Sequence, residues 1–173
     1  MFFELIGVIV AGAAVALIVW AITRTLKGRL PKWLIPASAG GAMLIATVSM
    51  EYGWFARTSA TMPAGLVVAE TIEAPSPLRP WTLVWPYVSR FVAVDRASLR
   101  THDGQPDQRI MDLVFYGRWA RTAKVPMLFD CAGLRWADIA DGVDFAADGA
   151  VTGAAWLSVA ADDPVLTTAC AEA

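Results

Sequence analysis

Few side chains in this sequence have the types and spacing that catalysis needs. His102 is the only histidine and lies in the polar segment RTHDGQPDQR, which is typical of a solvated turn. A metal centre or a Ser-His-Asp triad would depend on that one residue. The chain also has no glycine-rich phosphate loop, no GxSxG turn and no HExxH helix. We therefore expect no enzymatic activity, no cofactor and no small-molecule substrate.

The densest group of possible metal ligands consists of aspartates towards the C-terminus. They are Asp138, Asp141, Asp144 and Asp148. Carboxylates are the ligands that calcium prefers, but Gly142 follows the second aspartate directly and no glutamate closes the loop as in an EF-hand. Asp-Gly pairs such as Asp148-Gly149 are also strong hairpin-turn signals. The pattern favours turns on a solvated face and leaves calcium binding open.

The chain has two cysteines, Cys131 and Cys170. They lack CxxC spacing and no histidine lies near either one, which argues against a redox or metal pair. Both lie within residues 55–173, which the charge pattern places outside the cytoplasm. An even number of cysteines in an oxidising compartment predicts a disulfide. On the chain-entropy model, closing about 38 intervening residues stabilises the fold by roughly 3–4 kcal/mol.

Aromatic side chains are numerous in the same region. They are Trp81, Trp85, Tyr87, Tyr116, Trp119, Trp136 and Trp156. Core packing is one explanation. A protein-binding surface is the other, because Trp, Tyr and Arg carry most of the binding energy at protein interfaces. We predict that Trp119, flanked by Arg118 and Arg121, contacts a partner protein.

The composition indicates a membrane protein. Of 173 residues, 57% are hydrophobic and 17% are charged, and the formal net charge is −2. A soluble domain carries about 25% charged residues. A disordered chain needs low hydrophobicity and a nucleic-acid-binding protein needs a basic surface, so the composition argues against both classes.

The apolar excess is concentrated in two uncharged runs, Leu5–Ile22 and Trp33–Met50. Each run has 18 residues, about the length that crosses the hydrocarbon core of a bilayer as a helix. We predict helices at about 5–23 and 33–50, which form a transmembrane hairpin within residues 1–54.

The loop over residues 24–32 determines the predicted orientation of this hairpin. It contains no acid and four basic residues, Arg24, Lys27, Arg29 and Lys32. Because basic loops stay in the cytoplasm, both termini and residues 55–173 are expected in the periplasm of a bacterial inner membrane. A signal peptide is the alternative interpretation of the first run. Signal peptides begin with basic residues, whereas the segment before this run contains Glu4 and no Lys or Arg.

Small residues recur at a spacing of four in both runs. The pairs are Gly7 and Ala11, Gly12 and Ala16, Ala37 and Gly41, and Ala42 and Ala46. Such rows let helix backbones approach closely in lipid. They either pack the hairpin against itself or place one row against another subunit. Neither run contains an ionisable residue, which argues against an ion or proton pathway.

Residues 55–173 have the short apolar runs and turn signals of an antiparallel β domain. Predicted strands cover residues 65–72, 81–84, 88–94, 110–117, 125–131, 143–145 and 154–159. Pro164–Cys170 is predicted as a short helix capped by Asp162 or Asp163. The predicted fold is therefore an α+β membrane protein, with a two-helix hairpin followed by a small antiparallel sheet and a C-terminal helix.

Three segments of the β domain follow one another in a recognisable order. They are Val92–Leu99 (VAVDRASL), Leu128–Trp136 (LFDCAGLRW) and Thr168-Ala169-Cys170. This order resembles the surface-adhesin E-like family of small bacterial envelope domains, over about residues 88–170. The family has a D-C-x-x-x-R motif, which Asp130, Cys131 and Arg135 match. The resemblance implies an antiparallel sheet with a disulfide and a non-catalytic module that binds other proteins.

These observations together favour an accessory subunit of a larger integral membrane complex in a bacterial inner membrane. The hairpin would dock in the lipid bilayer, and the β domain would brace a periplasmic surface of a respiratory or photosynthetic assembly. The alternative is a membrane-tethered periplasmic protein that binds or senses a ligand or the cell envelope.

Overall fold

The computed structural model describes residues 2–26, 30–139, 142–146 and 148–171. The chain divides into two compact units, Met1–Arg57 and Thr58–Ala173. The first unit is helical and the second is built on an antiparallel sheet. This is the coarse α+β arrangement that the sequence predicts.

The helical unit consists mainly of α1 (Phe2–Thr25) and α2 (Leu34–Tyr52), which pack against each other. A short helix, α3 (Trp54–Ala60), follows and spans the boundary between the units. Both α1 and α2 are long and apolar enough to cross a membrane. Gly12 is the one buried residue of α1, and the described residues of α2 include none.

The second unit contains a six-stranded antiparallel sheet with the order β1-β2-β3-β4-β5-β8 and a separate pair, β6-β7. The strands are β1 (Leu66–Glu73), β2 (Val88–His102), β3 (Gln105–Gly117), β4 (Ala123–Asp130), β5 (Arg135–Asp138), β6 (Asp144–Phe145), β7 (Val151–Thr152) and β8 (Leu157–Ser158). A 3₁₀ helix (Pro80–Leu83) lies between β1 and β2, and α4 (Pro164–Cys170) follows β8. Neighbouring strands in the β1–β5 part are consecutive in the chain, as in a meander.

The core of this unit lies between one face of the sheet and α4. Its buried members are Val92, Val94, Met111, Leu113, Met127, Phe129, Val165, Leu166 and Ala169. The strand members alternate along β2, β3 and β4 because successive side chains of a strand point to opposite faces. The last three come from α4, so this seven-residue helix covers the sheet.

Helix α4 begins where the sequence predicts, and Asp163 is its N-cap. Asp163 Oδ1 accepts hydrogen bonds from Val165 N (3.0 Å) and Leu166 N (2.8 Å). These bonds satisfy two amide groups that the first turn of a helix leaves without an intrahelical partner. Pro164 occupies the first helical position, where its fixed φ suits the helix and its missing N–H costs little.

The strand predicted over residues 81–84 is wrong, because Pro80–Leu83 form a 3₁₀ helix. Thr82 stabilises this turn, since its hydroxyl donates to Arg79 O (2.7 Å) and accepts from Ser76 N (2.9 Å). A side chain that satisfies local backbone groups in this way competes with strand pairing.

Strand β2 also extends beyond residue 94, where the pattern predicts its end. Pairing with β3 is irregular between Asp95 and Arg100. Within this irregularity, Ser98 Oγ accepts a hydrogen bond from Asp112 N (2.8 Å). The Ser98 side chain thus gives the Asp112 amide an acceptor where the β2 backbone gives none. Pairing of β2 with β3 resumes at Arg100 and continues to the tight turn at Asp103-Gly104.

Candidate functional site

The predicted partner-binding segment lies in the turn between β3 and β4. Trp119 is 59% exposed, and the Arg118 guanidinium carbon lies 5.0 Å from the centre of its ring. An exposed cation–π contact of this kind contributes about 0.5–1 kcal/mol. Arg118 N also donates a hydrogen bond to Ser89 O (2.9 Å), which ties the turn to β2. Arg121 is exposed in the same turn.

This turn therefore presents a large aromatic ring to solvent in a restrained position. A side chain that is already held in place loses less conformational entropy when a partner covers it. Tryptophan and arginine are the residue types that most often dominate such contacts. The segment has the chemistry of a protein contact, with a flat apolar surface edged by positive charge.

The turn between β4 and β5 brings together Asp130, Cys131 and Arg135, the residues of the D-C-x-x-x-R pattern. Asp130 is 6% exposed; its Oδ1 accepts from Gly133 N (2.8 Å) and its Oδ2 from Arg135 Nε (2.8 Å). The Arg135 guanidinium also lies 4.4 Å from the centre of the Trp156 ring. These contacts occupy the carboxylate, so the pattern organises a turn and presents no free reactive group.

A disulfide joins Cys131 in this turn to Cys170 at the end of α4. The two Cα atoms are 5.7 Å apart and the cysteines are 39 positions apart in the chain. The sequence prediction of this pairing is confirmed. The bond fixes the C-terminal helix to the β4–β5 turn that Asp130 and Arg135 organise.

The candidate catalytic and metal-binding residues lie in or next to turns, where two of them accept hydrogen bonds from the backbone. His102 Nδ1 accepts a hydrogen bond from Gly104 N (3.1 Å), and Asp148 Oδ1 accepts from Ala150 N (3.0 Å). Asp138 ends β5 and Asp144 begins β6, whereas Asp141 falls outside the described residues. Among the residues that the structure describes, no three His, Cys, Asp or Glu side chains are grouped so that they could hold a metal ion.

The small residues of the two apolar helices differ in their surroundings. A Cβ atom on Gly12 would lie 2.5 Å from Met43 Cε, and one on Gly7 would lie 3.1 Å from Met50 Cε. These two glycines of α1 therefore face α2. On α2, a Cβ on Gly41 would have no atom within 4 Å. Ala11 and Ala16 are half-buried and Ala37 is exposed.

The β unit contains a cavity that no pattern in the sequence predicts. Its volume is about 220 Å³, and Arg96 and Arg109 are part of its lining. Both arginines bind the C-terminal end of α4: Arg96 Nη2 donates to Thr168 O (3.1 Å) and Arg109 Nη1 to Ala169 O (3.2 Å). Cations suit this position because the carbonyl groups at a helix C-terminus carry partial negative charge.

A second missed feature is the exposed apolar loop between β1 and β2. Its signal in the sequence is a 21-residue stretch, residues 74–94, that contains arginines but no acid. Several of its large apolar side chains are mostly exposed, including Leu78 and Trp85.

The chain matches no family model, and no curated protein or solved structure is significantly similar to it. The resemblance to the surface-adhesin E-like family thus stays a prediction from the motifs alone.

Proposed function

We propose that this chain is a non-catalytic accessory subunit of a larger complex in a bacterial inner membrane. Helices α1 and α2 dock as a hairpin in the bilayer, and the β unit braces a periplasmic surface of the complex. We propose that this larger complex belongs to respiratory or photosynthetic electron transport. The proposal rests on the surfaces that the chain leaves uncovered.

The exposure of α1 and α2 supports the membrane part of this proposal. Only 6% of the most apolar 18-residue window of α1 is buried, and none of that of α2. A core helix of a soluble protein would be mostly buried against its own chain. Apolar side chains such as Leu17 and Ile45, which are 65% and 70% exposed, instead suit a lipid or a neighbouring protein helix.

The basic residues near the α1–α2 connection support the proposed orientation. Arg24 lies in the last turn of α1 and Lys32 shortly before α2, whereas Glu4 lies at the opposite end of α1. By the positive-inside bias, the connection is cytoplasmic and the β unit is periplasmic. The disulfide suits that assignment because such bonds persist in the oxidising periplasm.

The observation that carries the partner-binding part is Trp119, exposed and restrained by Arg118 at the tip of the β3–β4 turn. A photo-cross-linking amino acid at position 119 of the full chain tests it in intact membranes. The matched control is position 157, where Leu157 is 54% exposed on β8. We expect one defined membrane-protein adduct from position 119 and none from position 157. No adduct, or the same adducts from both positions, would contradict the proposal.

A second candidate function is favoured by the cavity beside Arg96 and Arg109. In this alternative the β unit is a membrane-tethered periplasmic module that binds or senses an anionic ligand. Two guanidinium groups around a cavity of about 220 Å³ would suit a small carboxylate. Ligand-dependent unfolding of the full chain distinguishes the functions: a carboxylate that raises the Tm of wild type but not of Arg109→Gln favours the module.

A further inference from the structure

The loop between β1 and β2 contains the most exposed large apolar side chains in the described part of the β unit. We define the apolar loop as residues 78–85, with the sequence LRPWTLVW. Its most exposed apolar side chains are Leu78 (90%), Val84 (68%), Trp85 (67%) and Leu83 (62%). Elsewhere among the described residues of this unit, no large apolar side chain exceeds 59%. Comparable exposure recurs only in α1 and α2, at Leu17 (65%) and Leu44 (69%) for example, and beside α2 at Trp33.

The apolar loop is ordered around a polar centre. Thr82 is 1% exposed, and its hydroxyl bonds to the backbone of both Arg79 and Ser76. Val84 N and Trp85 N then donate to Trp81 O (3.2 and 2.9 Å). The loop thus buries the Thr82 hydroxyl and exposes its large apolar side chains. An arrangement of this kind suits contact with an apolar environment rather than with water.

The charge around the loop narrows the class of partner. Between Glu73 and Asp95 the chain has no acid and two arginines, Arg79 and Arg90, although the whole chain has a net charge of −2. Positive charge next to exposed Trp, Leu and Val is the pattern of segments that lie in the headgroup layer of a membrane. Tryptophan in particular favours that layer, because its ring is apolar and its N–H remains hydrogen-bonded.

Chain connectivity keeps a bilayer within reach of this unit. Residues 53–65 separate α2 from β1; α3 takes up seven of them, and residues 61–65 lie between α3 and β1. Five residues span at most about 18 Å when fully extended. A domain tethered to α2 by residues 53–65 meets the lipid surface at a high effective concentration, which lowers the affinity that an apolar loop needs for binding.

We propose that the apolar loop is a second membrane contact, which inserts Trp81, Leu83, Val84 and Trp85 into the headgroup layer of an anionic bilayer. The inference rests on the proposed membrane anchoring by α1 and α2 and adds a lipid-binding role for the β unit. It also limits how the unit can move, since the loop and the tether would hold it at the membrane surface.

Spin labels on single cysteines test this insertion in the full chain reconstituted into phosphatidylethanolamine–phosphatidylglycerol vesicles. The native cysteines are both in the disulfide and leave an added cysteine unique. The test positions are Leu83→Cys and Val84→Cys, and the control on the β unit is Leu157→Cys, which is similarly exposed at 54%. Leu17→Cys on α1 reports separately on the anchor. At each position, collisions with oxygen, which concentrates in lipid, are compared with collisions with a water-soluble nickel complex.

We expect the ratio of oxygen to nickel collisions to be several-fold higher at positions 83 and 84 than at position 157, and higher still at position 17. Ratios at 83 and 84 equal to that at 157, with a high ratio at 17, overturn the loop proposal and leave the anchor intact. A low ratio at position 17 overturns the anchor itself. The same labels are also measured in native membranes. If both reagents are excluded from positions 83 and 84 there, while nickel reaches these positions freely in vesicles, a protein covers the loop. That result also overturns the proposal.

Discussion

At the scale of single residues, the disulfide between Cys131 and Cys170 is the contact with the largest expected effect. It connects the β4–β5 turn to the end of α4, so the helix that covers the core is held at both ends, by the disulfide and by the Asp163 cap. Its contribution follows from the chain segment that it closes, because a cross-link removes conformations from the unfolded chain.

We predict that alkylation of the non-reduced protein modifies neither Cys131 nor Cys170, and that both react after reduction. Reduction should lower the free energy of unfolding by about 3–4 kcal/mol, as expected for a separation of 39 residues. Mass spectrometry counts the modified cysteines, and urea unfolding with and without reductant gives the energy. Modification without reductant would contradict the pairing.

The cap of α4 can be tested with two adjacent aspartates. Asp163→Ala removes the acceptor for Val165 N and Leu166 N, and we expect a loss of about 1 kcal/mol in stability. Asp162→Ala removes an exposed carboxylate one residue earlier and should leave the stability nearly unchanged. Thermal unfolding of the two variants measures the difference. Equal losses would show that charge, and not capping, is responsible.

At the scale of elements, three strands of the sheet are joined by one lysine. Lys124 Nζ on β4 lies 2.9 Å from Asp95 Oδ2 on β2 and 3.0 Å from Asp112 Oδ2 on β3. Asp95 and Asp112 are directly opposite in the β2–β3 register, where two negative charges would otherwise repel. Hydrogen bonds to Asp95 and then to Asp112 raise the pKa of Lys124 above its ordinary 10.5.

This raised pKa gives a pH dependence of defined sign. Because the folded pKa of Lys124 exceeds the unfolded value of 10.5, its stabilisation is complete below that pH and is lost as the pH rises through the folded pKa. Lys124→Met should therefore reduce stability at neutral pH, by an amount that shrinks in alkaline solution. Urea unfolding over pH measures this, with Arg121→Met as a control for loss of a surface charge. A difference that stays constant above pH 10.5 would contradict the account.

The packing of α1 on α2 predicts unequal effects for two glycines. Gly12→Leu places a side chain where Met43 already lies, and overpacking of this kind costs about 1–3 kcal/mol. Gly41→Leu enters open space and should leave the hairpin intact. Resistance to proteolysis in mild detergent compares the two variants. If both are equally sensitive, the packing face is assigned incorrectly.

Elements with a strong local pattern are those that the sequence predicts well. The apolar helices, β1 and α4 follow from run length and a capping aspartate, whereas β2 and β3 extend beyond the predicted 88–94 and 110–117 to the turn at Asp103-Gly104. Strand β5 was missed because Arg135–Asp138 (RWAD) has no β pattern of its own and pairs with β4 through the turn that Asp130 closes. Residues 81–84 have the apolar pattern of a strand, but the hydrogen bonds of the Thr82 side chain to the nearby backbone of Ser76 and Arg79 turn the chain into a 3₁₀ helix, and an apolar pattern does not register them.

The candidate site shows the same limit. Composition gives the aromatic residues but not their exposure: Trp136 packs against the core, whereas Trp119 is 59% exposed. The difference comes from the position of Trp119 in a turn, which the sequence gives only after both flanking strands are known. The apolar loop was missed for a related reason, because its side chains have the types of a buried strand.

At the scale of the whole molecule, the chain combines two unlike units. The helical unit leaves most of its apolar surface uncovered, whereas the β unit has its own core and a disulfide. A chain of this kind gains stability when the surface of its helices is covered by lipid or by another membrane protein. The exposed Trp119 and the apolar loop lie at the same end of the sheet, because the start of β2 pairs with the end of β3, and they add a contact suited to a protein and one suited to a bilayer.

The proposed role as an accessory subunit is tested most directly by the native size of the chain after gentle detergent extraction of its membranes. We predict that the 18.6 kDa chain migrates on native gels with a much larger complex, together with a constant set of integral membrane proteins. Trp119→Ala should release part of the chain from that complex without unfolding it. Migration of the wild-type chain alone, at the size of a monomer in its detergent micelle, would contradict the account.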